Sequence, residues 1–162
     1  MKHLTKLLAA ALLALGLNQT VCADDASDFR QTLQLAEQGN AKAQFVLGLM
    51  YHIGQGVRQD YAEALRWYRQ AAEQGFTSAQ YNLGNMYETG RGVRQDDAEA
   101  FRWYRQAAEQ GDATAQHNLG NMYLNGRGVR QDYAEAFRWY RQAAEQGNAK
   151  AQHNLGVMYD NG

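Results

Sequence analysis

The sequence predicts an all-α solenoid of antiparallel helix pairs, and three observations carry that prediction. Trp67-Tyr68, Trp103-Tyr104 and Trp139-Tyr140 recur at a spacing of 36 residues. The Gly-x-Gly-Val-Arg-Gln-Asp stretch from Gly54 to Asp60 returns from Gly90 to Asp96 and from Gly126 to Asp132. Ala72-Glu73-Gln74-Gly75 returns at Ala108 and Ala144. A fixed period of about 20–50 residues marks stacked units, each burying its apolar face mainly on its neighbours, so that stability accumulates along the stack without one large core. Such stacks usually offer a surface to a partner. The chain has 162 residues, 20% charged and 45% hydrophobic, which is ordinary for a folded soluble protein.

Residues 1–23 read as a signal peptide. Met1-Lys2-His3-Leu4-Thr5-Lys6 is positively charged, Leu7 to Leu17 is apolar, and Val21-Cys22-Ala23 places small residues where a signal peptidase reads. The apolar run is well short of the ~20 residues that span a bilayer, and it meets the charged Asp24-Asp25 pair, so no stable membrane insertion is expected after cleavage. Cys22 lacks the Leu and the Gly or Ala that would mark a lipid-modified cysteine. Cleavage after Ala23 removes Lys2 and Lys6 and no acid, leaving 14 basic and 17 acidic residues, a net charge of 14 − 17 = −3. Nucleic-acid binding, which asks for clustered Lys and Arg on a basic domain, finds no support. The mature chain has no cysteine, so an oxidising compartment suits it although disulfides do not hold it together. A periplasmic or secreted bacterial location follows.

Residues 24–39 form an N-terminal capping helix. A shift of 36 sets Phe29 against Leu65 and Ala36-Glu37-Gln38-Gly39 against Ala72 to Gly75, while Gln31 and Thr32 replace the Trp-Tyr pair. A more polar outer helix is what the end of a stack needs.

Repeats follow at 40–75, 76–111 and 112–147, with two helices each. In the first, Asn40 caps a helix over about Ala41 to Ile53, and Gly54 stands where a left-handed residue ends it. Asp60 starts the second helix, and Glu63 three residues on makes a capping box, repeated as Asp96 with Glu99 and Asp132 with Glu135. Gly75, Gly111 and Gly147 close the second helices. Leu47 and Tyr51 form the core stripe of the first helix, with Gly48 letting its partner approach closely; Ala64, Tyr68, Ala71 and Ala72 face it. Residues 148–162 are an incomplete fourth repeat. Its only helix, Ala149 to Asn161, carries Leu155, Met158 and Tyr159 with no second helix to cover them. The expectation is that the chain frays after about Gly147 or self-associates through residues 149–161, and that it is a truncated form of a longer repeat protein.

The strings Ala43-Gln44-Phe45-Val46-Leu47-Gly48-Leu49-Met50-Tyr51, Gly54-Gln55-Gly56-Val57 and Ala62-Glu63-Ala64-Leu65-Arg66-Trp67-Tyr68-Arg69-Gln70-Ala71-Ala72 resemble the Sel-one-like repeat (SLR), a longer relative of the tetratricopeptide repeat. The resemblance covers Asn40 to Gly162. It implies a right-handed superhelix and an adaptor or scaffold role in signalling, protein quality control or bacterial host interaction. A cysteine-rich branch of the family is associated with penicillin binding and β-lactamase activity, but its paired cysteines are missing from this chain.

Catalytic chemistry has little footing. Ser27 and Ser78 are the only serines after residue 23, and neither lies in a nucleophile elbow. The Gly-x-Gly loops lack the third glycine and the preceding strand of a dinucleotide site. His117 and His153, one repeat apart, would sit roughly 10 Å from each other on neighbouring first helices, too far for one metal whose Zn–N bonds need about 2 Å. No catalytic residue, metal or cofactor is assigned. Arg66, Arg69, Arg102, Arg105, Arg138 and Arg141 look like a solvated helix face paired with Glu63, Glu99 and Glu135, with an anion-binding stripe as the other reading.

A more useful surface lies on the first helices. With Leu47 at zero and about 100° per residue, Phe45, Leu49 and His52 fall near 160°, 200° and 140°, away from the intra-repeat core. Their equivalents are Tyr81, Asn85 and Glu88, then His117, Asn121 and Leu124, then His153, Val157 and Asp160, flanked by Asn82, Asn118 and Asn154. Rings beside amides suit an extended peptide, because an amide bonds a backbone in both senses and a ring grips side chains. The competing reading places them in water or between adjacent first helices. Phe45, Tyr81, Asn82, Asn85, His117, Asn118, Asn121, His153 and Asn154 are therefore the candidate protein- or peptide-binding residues, lining a concave groove. Two function classes stand: an exported noncatalytic binding module, and a cell-wall-related penicillin-binding or β-lactamase-like hydrolase drawn from the resemblance alone.

Overall fold

The structure, a computed structural model, describes Asp25–Asp160, so the expected signal peptide lies outside the described residues. Among those residues there are eight helices and no strand: α1 (Asp25–Glu37), α2 (Ala41–Ile53), α3 (Tyr61–Glu73), α4 (Thr77–Thr89), α5 (Asp97–Glu109), α6 (Ala113–Asn125), α7 (Tyr133–Glu145) and α8 (Ala149–Asp160). Successive pairs α2–α3, α4–α5 and α6–α7 are the repeat units, making the fold class an all-α array of helix pairs.

The helix ends follow from their cap residues. Asn40 Oδ1 accepts from the Ala43 amide at 2.9 Å, and Gly54 closes α2 in the left-handed region at φ 75°. Asp60, Asp96 and Asp132 each accept from two amides of the helix they start. The reciprocal half of the expected capping box is not made. The Asp60 amide already donates to Tyr51 O at 3.0 Å, as Asp96 does to Tyr87 and Asp132 to Tyr123, so the loop is tied back to the first helix. Glu63, Glu99 and Glu135 turn instead to Arg66, Arg102 and Arg138 at 2.8, 2.7 and 2.7 Å. These arginines also lie over the faces of the adjacent Trp67, Trp103 and Trp139, so ion pairing and ring stacking explain their periodicity.

The chain divides into two compact units. The first runs to Ala79 and includes Arg91–Val93. Its core joins Ala36, Ala43, Leu47 and Trp67 with Phe29, Leu33, Leu35 and Tyr51, and a second cluster forms around Val46 and Met50. The second unit comprises Gln80–Gly90 and the chain from Arg94. Leu83, Met86, Tyr104, Leu119, Met122 and Tyr140 are fully or almost fully buried there, and Ala136, Tyr140, Ala143 and Ala151 hold α8 through Leu155 and Met158.

Each completed pair has one very close contact. A Cβ built on Gly48, Gly84 or Gly120 would lie 2.6–2.7 Å from a ring carbon of Tyr68, Tyr104 or Tyr140 respectively. A Cβ on Gly156 of α8 would meet nothing within 4 Å. Gly120→Ala should therefore lose about 1–3 kcal/mol to overpacking, whereas Gly156→Ala should be neutral or stabilising by up to about 1 kcal/mol through helix propensity. Urea denaturation of the two variants checks the contrast; equal effects would show that the ring contact does not govern helix pairing.

Candidate peptide-binding face

Tyr81, Asn82 and Asn85 on α4, His117, Asn118 and Asn121 on α6, and His153 and Asn154 on α8 all fall in the second unit. Phe45 lies in the first unit, where its ring packs on Tyr68 and Phe76 with centroids 5.9 and 5.1 Å apart. The positions of Phe45, Tyr81 and His117 do not stand clear of the intra-repeat core, as their angle on the helix suggests. Tyr81 lies on Tyr104 at 5.8 Å and His117 on Tyr140 at 5.9 Å. The reason is the glycine three residues on: it lets the second-helix tyrosine reach across the first helix until its ring meets the side chain beyond.

His117 is buried, at 8% exposure, and organises a polar network. Its Nδ1 is 3.2 Å from Asn118 Oδ1, and its Nε2 is 3.4 Å from the side-chain nitrogens of both Asn121 and Asn154. The Tyr140 hydroxyl donates to Asn121 Oδ1 at 2.6 Å, which orients that amide with its nitrogen toward the imidazole. The assignment that satisfies every partner is a neutral ring with the proton on Nδ1. Burial pushes the His117 pKa down from its ordinary 6.5, opposed by the Asn118 hydrogen bond and aided by Lys150. Protonation would also turn Nε2 into a donor facing two donors. Burial likewise raises the Tyr140 and Tyr81 pKa values, with hydrogen bonds from Asn154 and Asn118 opposing.

One repeat earlier the same space is charged. Tyr104 donates to Glu88 Oε2 at 2.7 Å, and its pKa is driven far up by burial first and by the Glu88 charge second. Arg127, from the loop after α6, bridges Glu88 Oε1 at 3.0 Å and Asp97 Oδ1 at 2.8 Å. One repeat later the two acids are replaced by Leu124 and Tyr133. Here a cavity of about 680 Å³ opens, lined by Leu124, Tyr133, Tyr140, His153, Asn154, Val157 and Met158. The phenols of Tyr104 and Tyr140 and the Glu88–Arg127–Asp97 bridge are features of the candidate face that the helical wheel missed. The signal for the bridge was the coincidence of two acids that break the repeat at Glu88 and Asp97. Among the described residues, no group of three or more His, Cys, Asp or Glu side chains is placed to hold a metal.

With this geometry in view, sequence and structure comparisons identify the family. The Sel1 repeat matches residues 41–76, 77–112, 113–148 and 149–162. The chain belongs to the Sel1 repeat family. It is similar to c5321, a protective antigen of uropathogenic Escherichia coli strains with an SLR fold, at 42% identity and a TM-score of 0.88; the match covers 99% of this chain and 36% of that one, so this chain spans about a third of that protein. A Sel1 repeat protein from Oxalobacter formigenes is 44% identical with a TM-score of 0.75, covering 80% of this chain and 98% of that one. Cysteine rich protein B of Helicobacter pylori, at 21% identity and a TM-score of 0.63 over 80% of this chain and 96% of that one, shares the fold. No curated protein shows significant similarity to the chain.

The lowered His117 pKa fixes a sign. The folded state binds its proton less readily than the unfolded chain, so the contribution of His117 to stability is complete above the ordinary value of 6.5 and is lost as the pH falls below it, until the lowered folded value is passed. His52 shifts in the same direction, through burial and then Arg91. His117→Phe, which installs the ring found at Phe45, should lose less stability than wild type between pH 7 and pH 5. Denaturant midpoints across that range measure it, and parallel curves would mean that His117 does not titrate with folding.

Proposed function

We propose that this protein is a noncatalytic, exported adaptor that holds an extended peptide segment of a partner protein on the α4–α6–α8 face of its second unit. Sel1-repeat proteins are typically protein-interaction scaffolds, and this reading adds a location and a chemistry to that role. The observation that carries it is the set of amides on successive first helices, Asn85 on α4, Asn118 and Asn121 on α6 and Asn154 on α8, of which Asn154 lines the cavity. The internal network of these amides leaves capacity unspent, since each amide has two donors and two lone pairs. A peptide backbone can be bonded by these amides while one large apolar side chain enters the space between Leu124, Tyr133, Val157 and Met158. Export rests on the charge and hydropathy pattern of residues 1–23.

Peptides selected on the mature protein from a random display library test the site. The expectation is an apolar or aromatic anchor in the selected sequences and at least about tenfold weaker binding, near 1.4 kcal/mol, by an Asn85→Ala, Asn154→Ala double variant whose helicity is unchanged. Selected peptides that bind this variant and Met158→Glu as they bind wild type would place the site elsewhere. Export has its own measurement: intact mass of the protein from bacterial envelope fractions should match a chain starting at Asp24, and a retained Met1 or a lipid on Cys22 would refute it.

A further inference from the structure

Two amides of the candidate face are turned toward one acceptor. Asn154 Nδ2 lies 3.4 Å from His117 Nε2 and 3.4 Å from Asn121 Oδ1, and it also bonds the Tyr140 hydroxyl. Asn121 Nδ2 lies 3.4 Å from the same Nε2, while its Oδ1 accepts from Tyr140 at 2.6 Å. A neutral Nε2, with its lone pair, is what both nitrogens can share.

Protonation removes that acceptor. An imidazolium donates from both nitrogens: Nδ1 keeps its bond to Asn118 Oδ1 at 3.2 Å, whereas Nε2–H meets two donors. Relief requires one amide to reverse. Reversing Asn121 turns its nitrogen toward Asn154 Nδ2, and reversing Asn154 turns its oxygen toward Asn121 Oδ1. In both cases the Asn154–Asn121 bond that joins α8 to α6 is lost.

The surrounding groups do not offset this. Tyr81 of α4 shares Asn118 with His117 and rests on Tyr104 of α5, and the Tyr140 ring of α7 is 5.9 Å away. Burial keeps all three phenols protonated. Asp112, at the start of α6, accepts from the Ala115 amide at 2.7 Å and acts on Tyr81. Helix α8 brings the exposed His153 and Lys150, and Lys150 opposes a second positive charge on His117.

We propose that His117 is the positioning residue for the Asn121 and Asn154 amides and that its protonation reverses one of them, so that the face binds its peptide at neutral pH and releases it in acid. The release rests on the function proposed above; the amide reversal does not. The neutral ring belongs to the binding form, so affinity is full above the ordinary imidazole value of 6.5 and falls as the pH drops through the lowered value of the folded chain. By reciprocity, a bound peptide lowers the His117 midpoint further.

Two measurements separate the switch from the site. NMR of the free mature protein follows the His117 ring and the Asn121 and Asn154 side-chain amides from about pH 8 to about pH 4. All three should shift with one midpoint below 6.5. Asn154→Asp, which sets a carboxylate against Nε2, should raise that midpoint. Amides that stay still while the ring titrates, or a midpoint that Asn154→Asp does not raise, overturn the proposal whatever the face binds. The second measurement takes peptides selected at neutral pH that contain no His, Asp or Glu. Wild type should bind them about three- to tenfold more weakly at pH 5 than at pH 7, since one proton changes affinity by at most about tenfold per pH unit. In His117→Phe that ratio should fall to near one, with His52 and His153 still present. Undiminished pH dependence in His117→Phe, or none in wild type, overturns the release. Failure to select any peptide removes the site proposed above and the release with it, while the titration still decides whether His117 positions the amides.

Discussion

The contact on which each helix pair depends is between a missing side chain and a ring. Gly48, Gly84 and Gly120 give up helix propensity of about 1 kcal/mol each relative to Ala, and in return a tyrosine from the partner helix lies directly on the backbone. The close approach then sets everything outside it. It brings the phenol through to the far side of the first helix, where Tyr104 finds Glu88 and Tyr140 finds Asn121. The same ring forms the floor on which Phe45, Tyr81 and His117 rest. A single tyrosine per repeat therefore belongs at once to the core and to the candidate binding face.

This arrangement lets a buried histidine work as a connector. An imidazole held neutral has one donor and one acceptor, and here they point along different helices, toward Asn118 on its own helix and toward Asn154 on the next. The amides of α6 and α8 are thereby held in a fixed orientation, which would reduce the ordering cost of the binding proposed for this face. In the preceding repeat the linking element is Arg127, pinned between Glu88 and Asp97. Two chemically different links, one neutral and one ionic, thus tie elements together within the same unit.

Much of the fold was legible because the repeat reports it three times. The helix boundaries followed from Asn40, Gly54, Asp60 and Gly75, residues whose local chemistry leaves few alternatives. What the sequence concealed was direction. A wheel with Leu47 at zero places Phe45 and His117 away from the core, and it has no means of knowing that Gly48 and Gly120 let the partner tyrosine come through. The capping box failed for a similar reason: Asp60 and Glu63 match the motif, but the Asp60 amide is taken by Tyr51 O in a long-range bond that local spacing does not encode. The amide face was readable as a set of residues; its network was not, because it depends on distances between helices.

Near-identical repeats pose a problem of specificity, and the positions at which they differ show where this chain meets it. Leu47, Gly48 and Tyr51 recur unchanged through the fourth unit, and Ala64, Trp67 and Tyr68 recur in all three second helices. Residues constrained by the helix-pair contact have no freedom to vary. The face does vary: Phe45, Tyr81, His117 and His153 at one position, Leu49, Asn85, Asn121 and Val157 at another, and His52, Glu88, Leu124 and Asp160 at a third. Four identical units would present a ladder that an extended ligand could engage in any register, shifted by one repeat with little change in energy. Placing an acid at Glu88, an apolar side chain at Leu124 and a buried imidazole at His117 removes that degeneracy. A peptide shifted by one unit would set its apolar anchor against Glu88 and Arg127, where desolvating the charges opposes binding. On the proposed reading, the asymmetry of the second unit is what would let a repetitive scaffold hold one ligand in one register.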